Sequence, residues 1–305
     1  MAAEVGRGGK GLAATSASRT LRTTHYALRT THITPPLPLP PSLCQTRTVR
    51  LATVIPTLNA ETQLVPLLDD LAGGPEAGMG VVVSDGGSED GTLRAALRRG
   101  AVLAVGSAGR GQQLARGARL ALEHLADGGW LLFLHADTRL PSHWREVVEA
   151  HMASSDTPAY FAFGGEGPPL AVHWLRLMVR LRELAWKLPY GDQGLLIPAR
   201  LYREVGGFHA LELFEDVDMV TRLARRGRLR RLPARIHTDI RAYHRDGVLR
   251  RGARNLGLLA AYRRGVPVDE LKARYARVHG AGEAVPGVGR DSDPHLLVPK
   301  SKTPH

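Results

Sequence analysis

Three places in this chain put carboxylates where they can do chemistry. Val81-Val82-Val83-Ser84-Asp85 and Leu131-Leu132-Phe133-Leu134-His135-Ala136-Asp137 are apolar runs that end in an acid. Short continuous apolar runs read as fully buried strands. Each acid then emerges at a strand's carboxyl end, the edge where open α/β sheets bind ligands. The third place is Glu215-Asp216-Val217-Asp218, far downstream. Strand-end acids can hold a hard divalent cation against phosphate oxygens. A positioned carboxylate can also take a proton from an attacking hydroxyl. The competing reading is structural, since acids are favoured at helix N-termini by the macrodipole. That reading suits Glu215 and Asp218.

The elements that must position these acids alternate along the chain. Apolar patterning predicts strands over 49–56, 80–84, 101–105 and 130–135, and helices over 61–71, 89–99, 110–125 and 142–152. Such β-α-β repeats imply a parallel sheet covered by helices on both faces. Right-handed crossovers then bring the strand C-termini to one edge. Beyond residue 155 the pattern is less regular. A long amphipathic helix is expected over 168–188, with Trp174, Leu177, Met178, Leu181, Leu184 and Leu188 on one stripe. A short strand at 193–197, a helix at 217–226 and two basic helices at 248–264 and 268–278 follow. The expectation is one folded domain over 49–278, between disordered segments at 1–48 and 279–305.

The loops after the strands carry further signals. The first strand runs into Pro56-Thr57-Leu58-Asn59-Ala60-Glu61, and the second into Asp85-Gly86-Gly87-Ser88-Glu89-Asp90-Gly91-Thr92. Adjacent glycines let a backbone approach a ligand closely. Gly109-Arg110-Gly111-Gln112-Gln113 follows the third strand, too short for a dinucleotide fingerprint. In this order the motifs resemble the family 2 glycosyltransferases of GT-A fold, which show a Pro-Thr-x-Asn turn and then Asp-Gly-Ser-x-Asp-Gly-Thr; here there is one extra glycine. The resemblance implies a GT-A-type α/β domain with a mostly parallel, Rossmann-like sheet. It implies an inverting transferase that moves a sugar from a nucleotide-diphosphate donor, expected to be UDP-linked.

Carried over residue by residue, the resemblance makes Pro56, Thr57, Glu61, Asp85, Arg110, His135 and Asp137 the nucleotide-sugar contacts. His135-Ala136-Asp137 stands at the family's Asp-x-Asp metal motif, with His135 in place of the first acid. Asp137 is then the acidic ligand for Mg²⁺ or Mn²⁺, and His135 either a nucleotide contact or a second ligand. Gly191, Asp192 and Gln193 match a segment lining the acceptor side, and Asp216 matches the catalytic base. His244, within 238–247, falls where relatives close a loop over the diphosphate. A nucleotidyltransferase on a similar sheet is the enzyme alternative, but no Gly-rich loop with a lysine follows the first strand. A non-catalytic nucleotide-binding or nucleic-acid-binding module is the other alternative.

Composition bears on partners. The formal charge is +12, yet residues 51–240 hold 21 Lys+Arg against 22 Asp+Glu, so the basic excess lies at the two ends. With aromatics at 5%, stacking platforms for nucleic acid are few, and no nucleic acid is expected. The single Cys44 excludes an internal disulfide. No run of 18 apolar residues is present, as a membrane-spanning helix requires. Arg176, Arg180 and Arg182 on the long helix, and Arg250, Arg251 and Arg254 further on, suit peripheral contact with a membrane. The expected setting is cytoplasmic, at the inner face of the cell membrane, with a small-molecule or lipid-type acceptor such as a carotenoid-type acid.

Overall fold

Strand β1 (Val49–Thr57) sends Leu51 and Ile55 to one face and Ala52 and Val54 to the other, and all four are buried. β4 (Leu125–Phe133) repeats this, with Trp130 and Leu132 opposed to Leu131 and Phe133. A strand buried on both faces must lie between two helical layers, and the computed structural model has that arrangement. It describes residues 49–72, 79–166, 169–186, 191–239 and 248–279. The chain divides into Met1–Leu39, outside the described residues, and Pro40–His305, to which everything below belongs.

The remaining elements are α1 (Glu61–Ala72), β2 (Met79–Asp85), α2 (Thr92–Arg98), β3 (Val102–Val105), α3 (Arg110–His124), α4 (Trp144–Ser154), β5 (Ala159–Glu166), α5 (Pro169–Trp186), β6 (Leu195–Pro198), α6 (Ala199–Glu204), α7 (Glu215–Arg226), β7 (Arg230–Asp239), α8 (Val248–Arg263) and α9 (Val268–His279). The seven strands form one sheet in the order β3-β2-β1-β4-β6-β5-β7. Only β6 runs against its neighbours, pairing antiparallel with β4 and β5, while β5 and β7 are parallel. One face of the sheet is covered by α1, α2 and α4 through Leu64, Leu67, Ala96, Trp144 and Val148. The other is covered by α3, α6 and α7 through Leu114, Ala118, Tyr202, Met219 and Leu223. α3 sits close because Gly117 has no side chain; a Cβ there would lie 2.6 Å from Val54 Cγ1. The result is a single α/β domain of GT-A type.

The structure adds elements that the apolar pattern does not announce. β7 is an edge strand whose alternating Leu232, Ala234 and Ile236 face the core, with Pro233 tolerated because an edge has unpaired positions. The long helix is turned from the expected orientation. Its buried stripe is Val172, Leu175, Val179 and Glu183, packed on Phe163 of β5, whereas Trp174, Leu177 and Leu181 face outward. Glu183 on that buried stripe reaches inward and accepts from Gln193.

The loop that follows β4, which carries Asp137, is clamped on both sides. Arg139 makes a two-pronged ion pair with Asp70 of α1 at 2.8 and 2.9 Å, and Asp70 also accepts from the Leu140 amide. On the other side the Arg139 backbone exchanges two hydrogen bonds with His237 of β7. Asp70→Ala should therefore lower stability by about 1–2 kcal/mol in denaturant unfolding, because the loop loses an acceptor shared by a cation and a backbone amide. Asp69→Ala, which removes only an exposed pair with Arg99, should leave the curve unchanged. Equal losses would place the clamp's strength outside Asp70.

Candidate active site

The carboxyl edge of the sheet is built from loops tied to one another. Asp85 and Thr57 face each other in register across β1 and β2. Thr57 Oγ1 donates to Asp85 Oδ2 at 2.9 Å, and the Gly87 and Ser88 amides donate to Oδ1 at 2.8 and 2.7 Å. Ser88 Oγ donates to Oδ2 as well, at 2.5 Å. Asp85 is thus fully buried and holds its own loop in shape. The two loops then exchange bonds: Asn59 N donates to Ser88 Oγ, Glu89 N to Asn59 Oδ1, and Gly91 N to Glu61 Oε2. Asn59 takes a positive φ of 49° to make this turn, a conformation asparagine tolerates. Gln113 of α3 closes the junction, its amide donating to Thr57 O at 2.7 Å and Ser84 O at 3.1 Å. Pro56 lies half-buried beside this junction, in register with Ser84.

A second cluster sits where α3, the end of β4, the 191–193 turn and the start of α7 meet. Arg110 is the first residue of α3. Its Nε lies 2.9 Å from Glu215 Oε1, and its Nη2 donates to His135 Nδ1 at 3.3 Å. Arginine can only donate, so Nδ1 accepts and the imidazole proton sits on Nε2. Burial, and then the nearby Arg110 charge, hold the His135 pKa well below the usual histidine value, so the ring is neutral. Asp216 accepts from the Gly191 amide at 2.7 Å and from the Val217 amide at 2.7 Å. Gly191 permits this convergence: a Cβ on it would lie 2.8 Å from both Arg110 Nη2 and His135 Nε2. Arg110, His135, Gly191 and Asp216 line a small cavity of about 30 Å³, floored by Leu134, Leu195 and Phe208. Phe214, just before α7, is left-handed with φ 64° and stacks on Tyr262 of α8 at 4.9 Å. Strain of this kind persists only where surroundings enforce it, and here it aims Glu215 and Asp216 at the cavity.

Burial sets the charges of the neighbouring acids. Glu215 is buried, and burial raises its pKa, with Arg110 opposing the shift and Asp216 adding to it. Asp192 is pushed up to about 6, again chiefly by burial, against the pull of Arg182 and with the charges of Asp216 and Asp137 adding. Its Oδ1 is buried without a hydrogen-bond partner. Among the described residues no cluster of three or more His, Cys, Asp or Glu could cage a metal. A divalent cation here would have to be held by few protein oxygens and completed by phosphates and water, the usual habit of Mg²⁺. Asp137 is the candidate ligand, with the orphan Asp192 oxygen in the same acidic neighbourhood.

Placement of the expected residues is therefore uneven. Thr57, Glu61 and Asp85 share one set of loops, and Arg110, His135, Gly191 and Asp216 share the cavity. Gln193 is drawn into the interior: its amide donates to Phe161 O and to Glu183 Oε1, and Arg182 donates to its oxygen. The segment around His244 lies outside the described residues. Two participants gave no usable sign in sequence. Glu215 read as a helix-start acid, since spacing cannot distinguish a cap from a partner for Arg110. Gln113 was one polar residue of a helix start, and only the sheet geometry reveals its two acceptors.

Residues 53–196 match the family model described as glycosyl transferase family 2. Among solved structures, the mannosyltransferase PcManGT from Pyrobaculum calidifontis in complex with GDP-Man and Mn²⁺ is 21% identical, with a TM-score of 0.51, over 71% of this chain and 65% of that one. S. aureus TarS 1-349 in complex with UDP-GlcNAc is 19% identical, with a TM-score of 0.49, over 63% of this chain and 59% of that one. The chain thus spans less than two thirds of either structure's length. No curated protein matches it in sequence. The likeness to the mannosyltransferase establishes the fold, and the family match on that fold supports a glycosyltransferase.

Asp192 yields a pH prediction. A carboxyl whose folded pKa exceeds its unfolded value binds more protons when folded, so its contribution to stability falls as pH rises from about 4 to about 6. Asp192→Asn cannot ionise. It should raise the melting temperature relative to the parent at pH 7 and change it little at pH 4. A gain of equal size at both values would show that Asp192 is not held in an unfavourable charged state.

Proposed function

We propose that this protein is an inverting glycosyltransferase that moves a sugar from a UDP-linked donor to an acceptor hydroxyl or carboxylate. What carries the reading is the meeting of Arg110, His135, Gly191 and Asp216 on one cavity at the carboxyl edge of the sheet. The stitched β1 and β2 loops beside it, with Thr57, Asp85 and Glu61, are the nucleotide side. Asp85 acts there by shaping the loop as much as by contact, because its oxygens already serve four donors. The catalytic unit is residues 49–278, with 1–48 and 279–305 outside it.

Each residue of the cavity has a chemical task. Asp216, oriented by two amides, takes the proton of an acceptor hydroxyl as its oxygen attacks the anomeric carbon opposite the departing diphosphate; such a base is worth ~10²–10⁴-fold. Displacement from the opposite side inverts the anomeric centre. Arg110 spends two of its five N–H donors on Glu215 and His135, which leaves donors for a diphosphate oxygen. Glu215 keeps the guanidinium at the cavity. Neutral His135 offers Nε2–H as a donor toward the same space. Asp137 would hold Mg²⁺ or Mn²⁺, whose chemistry there is to offset charge on the leaving diphosphate. Gly191 and Asp192 border the acceptor side.

Donor choice is tested by thermal shift, since a ligand bound only by the native state raises the melting temperature. UDP should stabilise the protein more than ADP or GDP. Asp137→Ala should remove most of the extra shift given by Mg²⁺ or Mn²⁺, and His135→Ala only part of it. Equal shifts for the three nucleotides would refute the uracil site, and loss of the metal response in His135→Ala alone would reverse the ligand ranking.

The base is tested by Asp216→Asn. With a hydroxyl acceptor, donor binding should persist and turnover should fall by ~10²-fold or more, because an amide cannot take the proton. With a carboxylate acceptor, already ionised near pH 7, the loss should be far smaller. A full rate with a hydroxyl acceptor would remove Asp216 from the chemistry.

A further inference from the structure

Helix α5 has an outer face with no evident structural purpose. Trp174, Leu177 and Leu181 are 51%, 41% and 51% exposed, and they recur at intervals of three and four, so they form one ridge about two turns long. Exposed large apolar residues scattered singly need no explanation, but an aligned ridge led by tryptophan does. Its flanks are basic. Arg180 is about half exposed, and Arg176 lies partly buried beside the ridge, while Arg182 turns inward to Gln193. The one acid among the described α5 side chains, Glu183, is buried against Gln193, Arg180 and Arg231. α5 thus presents apolar side chains and positive charge to solvent, with no exposed acid among them.

We propose, resting on the glycosyltransferase reading above, that this face docks on an anionic lipid surface and that the acceptor is membrane-borne. Trp and Leu enter the headgroup region while the arginines meet lipid phosphates, the design of a helix lying in a membrane interface. The same side chains argue against a second copy of the chain as the occupant. A two-fold contact would place Arg176 and Arg180 of both copies together with no exposed α5 acid to offset them. The inner face of α5 ties this surface to the site. Glu183 and Arg182 bond Gln193, and Gly191 of the same turn lines the cavity. A docked α5 would hold the acceptor side of the cavity roughly one helix diameter, about 10 Å, from the lipid surface.

The test uses the full chain and phosphatidylcholine vesicles with or without phosphatidylglycerol, read by co-sedimentation and tryptophan fluorescence. The wild type should bind the anionic vesicles with a blue-shifted emission. Combined Trp174→Ser, Leu177→Ser and Leu181→Ser should weaken that binding by about tenfold or more, while the UDP thermal shift stays as in the wild type. Leu97→Ser, at another exposed leucine, should bind as the wild type does. Equal vesicle binding by the triple variant would assign it to the basic ends of the chain and overturn the proposal, as would no binding by the wild type. A dimer that the triple variant splits in light scattering would also overturn it, in favour of self-association. Vesicle binding that depends on α5 in a protein UDP fails to stabilise would uphold the docking surface and sink only the catalytic reading.

Discussion

Everything at the carboxyl edge of this sheet depends on where a single buried carboxylate sends its bonds. Asp85 sits at the end of β2 with no exposed surface, and a charge in that position persists only if its oxygens are satisfied. Thr57 supplies one donor from β1, and the loop after β2 must curl back to supply the others. That curl places Ser88, Glu89 and Gly91 against Asn59 and Glu61, so the first two strand ends become one surface. Gln113 then fastens α3 to the same junction and fixes where Arg110, one helical turn earlier, can point. Hydrogen bonds thus run from a buried acid to α3, the helix whose first residue supplies the guanidinium of the cavity.

The cavity itself is a balance of opposed charges in a poorly solvated place. Glu215 and Asp192 are both pushed toward the protonated form by burial, and Arg110 and Arg182 oppose that. Groups arranged at such cost are more common at working sites than in structural cores. The strained Phe214 and the bare Gly191 have the same meaning. Each gives up local stability to let side chains converge, and the fold offsets the loss through the two apolar layers that flank β1 and β4.

The first four strands and their parallel sheet were legible in sequence because β1, β2 and β4 are buried on both faces and announce themselves as apolar runs, while β3, at the edge, is still a short apolar run between two helices. The strand-end acids were legible for the same reason. The β5–β7 side of the sheet was not: β7 interleaves its inward Leu232, Ala234 and Ile236 with arginines and a proline, and its partner β5 mixes small and aromatic residues. The facing of α5 was not legible either. Its apolar stripe is the more hydrophobic one and would be assigned to the core by pattern alone, yet the opposite stripe is the buried one, with Glu183 accepting from Gln193 inside. Gln193 shows the matching limit at the site, since a motif position gives no sign of whether its amide points to a ligand or into the interior.

The central claim is that the loops joined through Asp85 and the cavity around Arg110 form one donor site. Hydrogen–deuterium exchange with and without saturating UDP and Mg²⁺ tests it most directly. Protection should appear together in segments 57–61, 85–92, 110–113 and 135–137, with no comparable change at α6, which begins at the opposite edge of the sheet. Protection confined to one of these segments, or placed elsewhere while UDP is bound, would contradict the account.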